Sequence, residues 1–191
     1  MKKHTMRAVR LCIAVLLVVP TLAWSESRTY QRTTAQYTLP DVALINQDGK
    51  KIRLKTVLAS GKPVIVDFIY GTCTTICPVL SACFVNLQHK LGADSGKVHL
   101  ISISIDPEND SPKVMKEYLK RYRAKPGWDF LTGSRKDIDA VMRALDAYIP
   151  NKMSHYALTL IHPQQGGAWI RINGIMSSSE FMAEVRKVGI Q

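Results

Sequence analysis

The stretch VIVDFIYGTCTTICPVL, residues 64–80, decides the fold. Its first seven residues are β-rich and broken only by Asp67, the composition of a central strand covered on both faces. At Gly71 the apolar run stops. From Leu80 the period changes: Leu80, Cys83, Phe84, Leu87 and Leu91 recur on one helical face, and Pro78 suits a first helical turn. The segment therefore reads as strand, short loop, helix, with Cys73 and Cys77 in the loop that joins them.

Upstream, residues 41–54 read as a β-hairpin in which two short apolar runs, 42–45 and 52–54, flank Gln47-Asp48-Gly49. Downstream, residues 98–105 form the next strand. A helix follows from Ser111, with Pro112 at its first position and Val114, Met115, Tyr118, Leu119 and Tyr122 as its apolar stripe. Residues 130–131 are a short strand. Residues 136–148 are helical with Ile138, Val141, Met142 and Leu145 inward. Strands at 156–161 and 169–172 pair through the turn at 163–167, and residues 179–188 close the chain as a helix. A β-α alternation ending in an antiparallel pair makes an α/β layered domain. In such folds reactive groups sit beyond the carboxyl ends of the strands. The Gly71–Pro78 loop lies at one such end, and Asp106-Pro107 at another.

The first 25 residues stand apart. Lys2, Lys3, Arg7 and Arg10 precede an apolar run at 11–23, and Ala23-Trp24-Ser25 offers small residues where a signal peptidase reads. This is the pattern of a cleaved signal peptide and implies a periplasmic protein. The rival is an uncleaved inner-membrane anchor, although spanning a bilayer takes about 20 apolar residues. Residues 26–36 are polar and aperiodic and read as a linker, which leaves 37–191 as the domain. Cleavage discards Cys12 and leaves Cys73, Cys77 and Cys83, too few for a disulfide scaffold.

The formal charge of +11 shrinks with the leader. The 26 basic residues less its four, against 15 acidic ones, leave +7. Basic residues are not interleaved with aromatics and no reader motif is present, so nucleic acid is not an expected partner. A membrane surface or an acidic protein face remains open, as does simple solubility.

The chemistry concentrates at Cys73 and Cys77. Thiols at a helix start feel the positive end of its dipole, which favours the thiolate that attacks disulfides and binds metal. At i, i+4 helical spacing Cβ atoms lie about 5–6 Å apart, whereas a disulfide wants roughly 3.5–4.5 Å. The pair therefore bridges a metal readily and closes to a disulfide only with local bending. Two thiolates need a further ligand. Completed by an imidazole they suit Cu(I), and also zinc, although structural zinc is normally held by four protein ligands. Residue pattern alone singles out none of the five histidines. Cys83 aligns with the helix's apolar face and reads as a core thiol. Met153 is a conceivable thioether ligand, Asp106 reads as a turn cap or a group orienting the site, and Tyr70 as packing.

Three motifs in order resemble the Sco/SenC family: Cys73-Thr74-Thr75-Ile76-Cys77-Pro78; Ser104-Ile105-Asp106-Pro107 followed by Asp110-Ser111-Pro112; and Ser154-His155-Tyr156 opening the next-to-last strand. The resemblance implies a thioredoxin-like fold with an added N-terminal hairpin. It implies copper, as Cu(I) or Cu(II), held by Cys73, Cys77 and His155. It further implies help in assembling the copper A centre of cytochrome oxidase, by copper delivery or by reducing that centre's cysteines. The partners would then be an apo copper-enzyme subunit and another copper carrier. Two features depart from the family: a cleavable N-terminus where membrane tethers are common, and a basic segment, 151–154, where relatives often carry acidic residues. The alternative function is a metal-independent thiol-disulfide oxidoreductase using Cys73 and Cys77 as a redox pair.

Overall fold

The computed structural model describes residues 29–164 and 166–190. Among the described residues, eight strands and five α-helices run in the order β1 (Tyr30–Ala35), β2 (Ala43–Ile45), β3 (Lys51–Arg53), α1 (Leu54–Leu58), β4 (Val64–Ile69), α2 (Cys77–Leu91), β5 (His99–Ser104), α3 (Pro112–Arg121), β6 (Trp128–Leu131), α4 (Arg135–Ala144), β7 (Leu158–His162), β8 (Trp169–Gly174) and α5 (Ser178–Lys187). Six strands form one sheet in the order β1-β8-β7-β4-β5-β6, and β2-β3 is a separate hairpin. Within the large sheet β4, β5 and β6 are parallel, while β7, β8 and β1 run antiparallel to their neighbours.

Every residue of β4 is buried, as its near-continuous apolar run requires of a strand covered on both faces. Phe84 of α2 lies against Phe181 of α5 and Trp128 of β6, with ring centroids 6.2 and 5.3 Å apart. Tyr118 of α3 packs edge-on against Phe130, and its hydroxyl meets that of Ser81 on α2 at 2.8 Å. The hairpin docks on β6 through its turn. The Asn46 and Gln47 amides donate to Asp129, and the Phe130 N–H donates to Gln47. A β-bridge between Ile45 and Thr132 completes the seam.

Helix starts follow their capping signals. Ser111 accepts from the Val114 N–H, Ser134 from the Asp137 N–H, and Ser177 forms a capping box with Glu180.

The structure corrects several expectations. Residues 30–35, read as linker, form edge strand β1 against β8. The signal-peptide reading of residues 1–25 lies outside the described residues, as do linker residues 26–28. Leu54 opens the short helix α1 instead of ending a strand. Val114 is exposed, so the working stripe of α3 is Met115, Tyr118 and Leu119. The helix expected to reach residue 148 stops at Ala144, and Asp146 adopts a positive φ of 52° in the turn that follows. The penultimate strand starts at Leu158, so His155 precedes it instead of opening it.

Candidate metal centre

The topology dictates where the site falls. β4 and β5 are parallel, so the loops after Ile69 and Ser104 leave the sheet at the same edge. β7 runs antiparallel to β4, with Asp67 opposite Thr159, so the residues entering β7 arrive at that edge too. Three loops distant in sequence converge there: 70–76, 105–111 and 151–157.

Within this convergence the Sγ atoms of Cys73 and Cys77 and a ring nitrogen of His155 all lie within 4.8 Å of one another. Cys77 Sγ and His155 Nε2 are 3.3 Å apart. All three cysteines among the described residues are free thiols.

The two thiols are not equivalent. Cys77 is the first residue of α2, whereas Cys73 lies one turn earlier in the loop. The Cys77 N–H, at the helix start, donates to Cys73 Sγ at 3.5 Å, and the Thr75 hydroxyl sits 3.6 Å from the same sulfur. Burial pushes the Cys73 thiol up, but the hydrogen bonds from Cys77 and Thr75 outweigh it and hold the thiol at about 7. Burial pushes Cys77 strongly upward, and sharing a proton with the Cys73 sulfur adds to the rise. The expectation that the helix start activates both thiols is therefore corrected: it acts on Cys73. Burial lowers the pKa of His155, partly offset by its bond to the Lys152 backbone, which favours the neutral imidazole able to donate a lone pair.

The loops are braced by groups outside this triad. The Gly71 N–H donates to Asp110, whose other contact is the Ser104 hydroxyl. A Cβ at Gly71 would lie 2.7 Å from Asp110 Oδ1, so any larger residue there would have to displace the Asp110 carboxylate. Asp106 accepts from the Asn109 amide and pairs with Lys152. It thus caps its own turn and also ties the loop after β5 to the turn that carries His155. Sequence reasoning gave Asp110 no role. Its signal was its place in the Asp110-Ser111-Pro112 motif, four residues after Asp106. Tyr70, read as packing, lies edge-on to His155 with ring centroids 5.5 Å apart, and burial with the nearby charge on Cys73 pushes its phenol up to about 12. Cys83 stays outside the cluster, half-buried, with its sulfur 3.9 Å from the Met176 carbonyl oxygen.

The SCO1/SenC family profile matches residues 30–188. The chain belongs to the SCO1/SenC family. Among SCO1/SenC relatives, a SCO1 homolog of Bacillus subtilis is 44% identical over 96 residues, 49% of this chain and 49% of that protein. The match thus spans about half of that relative's length. Protein SenC of Rhodobacter capsulatus is 33% identical over 108 residues, 55% of this chain and 46% of its own. Among solved structures, BsSco, described as a Sco-family cytochrome c oxidase assembly protein with a disulfide switch, superposes with a TM-score of 0.68 at 30% identity, covering 82% of this chain and 95% of that one. ScoI of Bradyrhizobium japonicum, solved with copper bound, gives 0.63 at 28% identity, covering 76% and 96%. The fold of this SCO1/SenC chain is accordingly thioredoxin-like, as the motifs implied.

Proposed function

We propose that this chain is an exported copper-binding protein that serves assembly of the copper site of a respiratory enzyme such as cytochrome c oxidase. The observation that carries the reading is the meeting of Cys73, Cys77 and His155 within 4.8 Å at the convergence of three loops. Two sulfurs and a neutral imidazole form a donor set suited to copper, the soft Cu(I) ion above all. Copper here is cargo, bound at one edge of the domain where a client can reach it. The matched copper-bound ScoI supports the choice of metal. The leader at residues 1–25 supports export to the periplasm, with a membrane anchor as the alternative topology.

Thiol chemistry at the same pair is the second reading, favoured by the lowered pKa of Cys73. Cys73 thiolate would attack a client disulfide, and Cys77 would then release the client by closing a Cys73–Cys77 disulfide. Two electrons and the thiol protons pass to the client's cysteines, and the imidazole is not needed.

That difference supplies the test. In a deletion strain, added copper should partly rescue the respiratory copper enzyme, and His155→Ala should behave like the deletion. No rescue by copper, together with a functional His155→Ala strain, would transfer the function to thiol reduction.

A further inference from the structure

Met153 departs from every other methionine among the described residues. Met115, Met142, Met176 and Met182 are all buried, whereas Met153 is 74% exposed. An unbranched apolar side chain left in water gains nothing from burial. Its position at the mouth of the site is nevertheless fixed. Asn151 Oδ1 accepts from the Met153 N–H at 2.9 Å, and the Ser154 and His155 N–H groups bond back to the carbonyls of Asn151 and Lys152. The tight turn 152–154 therefore presents Met153 and His155 together. Lys152, between Asn151 and Met153, pairs with Asp106 and anchors the turn to the loop after β5.

The Met153 sulfur lies against Tyr70, which flanks the site. The Tyr70 hydroxyl donates to Met153 Sδ at 3.6 Å, and the same tyrosine ring packs edge-on against His155. Tyr70 also accepts the Cys73 N–H on its carbonyl oxygen. Tyr70 thus links the thioether to two of the three converging groups. Cys73 and Cys77 are only 6% and 0% exposed and His155 is half-buried, so among the described residues around the site the Met153 side chain is the sulfur-bearing one left largely in solvent.

We infer that Met153 is a fourth, outer ligand for Cu(I), capturing the ion before Cys73, Cys77 and His155 enclose it and holding it as they let go. The inference rests on the copper reading above. Thioethers favour Cu(I) over Cu(II), so the contribution is selective for oxidation state. Cu(I) gains a sulfur ligand at the mouth of the site, and Cu(II) relies on the inner three.

The test uses Met153→Leu, which keeps the size and apolarity of an exposed side chain and does not threaten folding. Cu(I) affinity, measured by competition with a chromophoric Cu(I) chelator, should fall on the order of tenfold to a hundredfold, the range typical when a supporting group of a metal site is lost. Release to the chelator should quicken, and Cu(II) binding should be unchanged. Copper-edge X-ray absorption on selenomethionine-labelled protein should show a selenium scatterer in the Cu(I) form, absent from the Cu(II) form and from Met153→Leu. Wild-type Cu(I) affinity in the variant and no selenium scatterer would overturn the inference while leaving the three-ligand site intact. Failure of the wild-type protein to bind Cu(I) at all would overturn both.

Discussion

At the scale of single residues the structure separates two cysteines that the sequence presents as a pair. Cys73 accepts hydrogen bonds that favour its thiolate, while Cys77 is walled off and pushed upward. Alkylation of the apo protein with iodoacetamide, mapped by mass spectrometry, should therefore modify Cys73 with a midpoint near pH 7, the value set by its surroundings. Cys77 should remain unmodified at least to pH 9, roughly where an unperturbed thiol is already half ionised. Equal reactivity of both cysteines across that range would contradict the asymmetry. Asp67 makes a second residue-scale case. It lies in the middle of β4, fully buried, and neither carboxylate oxygen has a hydrogen-bond partner within 3.5 Å. Burial, only partly offset by Ser102 on β5, raises its pKa from 3.8 to about 7. Between those values the folded protein keeps the proton and the unfolded chain does not, so stability falls as pH rises through this window and levels off above it. Asp67→Asn removes the decline. Relative to wild type the variant should gain on the order of 3 kcal/mol between pH 4.5 and pH 8, at about 1.4 kcal/mol per pKa unit. Urea titrations at the two pH values measure it. A difference independent of pH would show that Asp67 does not titrate there.

At the scale of elements, β1 is the main surprise. Only Tyr30 of its six residues is buried, since β1 lies at the sheet edge. An edge strand with one buried side chain carries no alternating apolar signal, so polar composition alone reads as linker. What fixes the strand is tertiary: Glu184, buried on α5, receives Arg32 Nε at 2.8 Å, Lys187 at 2.8 Å and the Tyr30 hydroxyl at 3.4 Å. Glu184→Ala should cost about 1.5–3 kcal/mol, the range for hydrogen bonds to a charged group, and a chain starting at Tyr37 should unfold at lower urea than one starting at Thr29. Equal midpoints for the two chains would restore the linker reading. The elements of strong period were legible. β4, α2, β5 and the capped start of α3 follow from their own residues, because β4 buries both faces and the Ser-Pro signal is local. The cysteine loop was legible for the same reason. His155 was not, since a histidine before a strand looks like any other until β7 pairs antiparallel with β4. The family motif supplied what local physics could not. Asp110 and the Asp106–Lys152 tie depend likewise on loops meeting in space.

At the scale of the whole molecule, the site exists only when the sheet is assembled. Cys73 and Cys77 come from the loop after β4, and His155 from the entry to β7, 78 residues beyond Cys77. The unfolded chain keeps the two sulfurs near each other but loses the imidazole. Copper should therefore bind the folded state preferentially and raise its stability by mass action, by about 2.7 kcal/mol when free copper is 100 times its dissociation constant. The same linkage joins the fold to the central claim, that Cys73, Cys77 and His155 together hold one copper ion. The most direct measurement is copper stoichiometry after equilibrium dialysis of reduced protein, wild type beside Cys73→Ser, Cys77→Ser, His155→Ala and Cys83→Ala. One copper per chain is expected for wild type and Cys83→Ala, none for either serine variant, and severely weakened binding for His155→Ala. A full copper complement in Cys77→Ser, or its loss in a folded Cys83→Ala, would contradict the site.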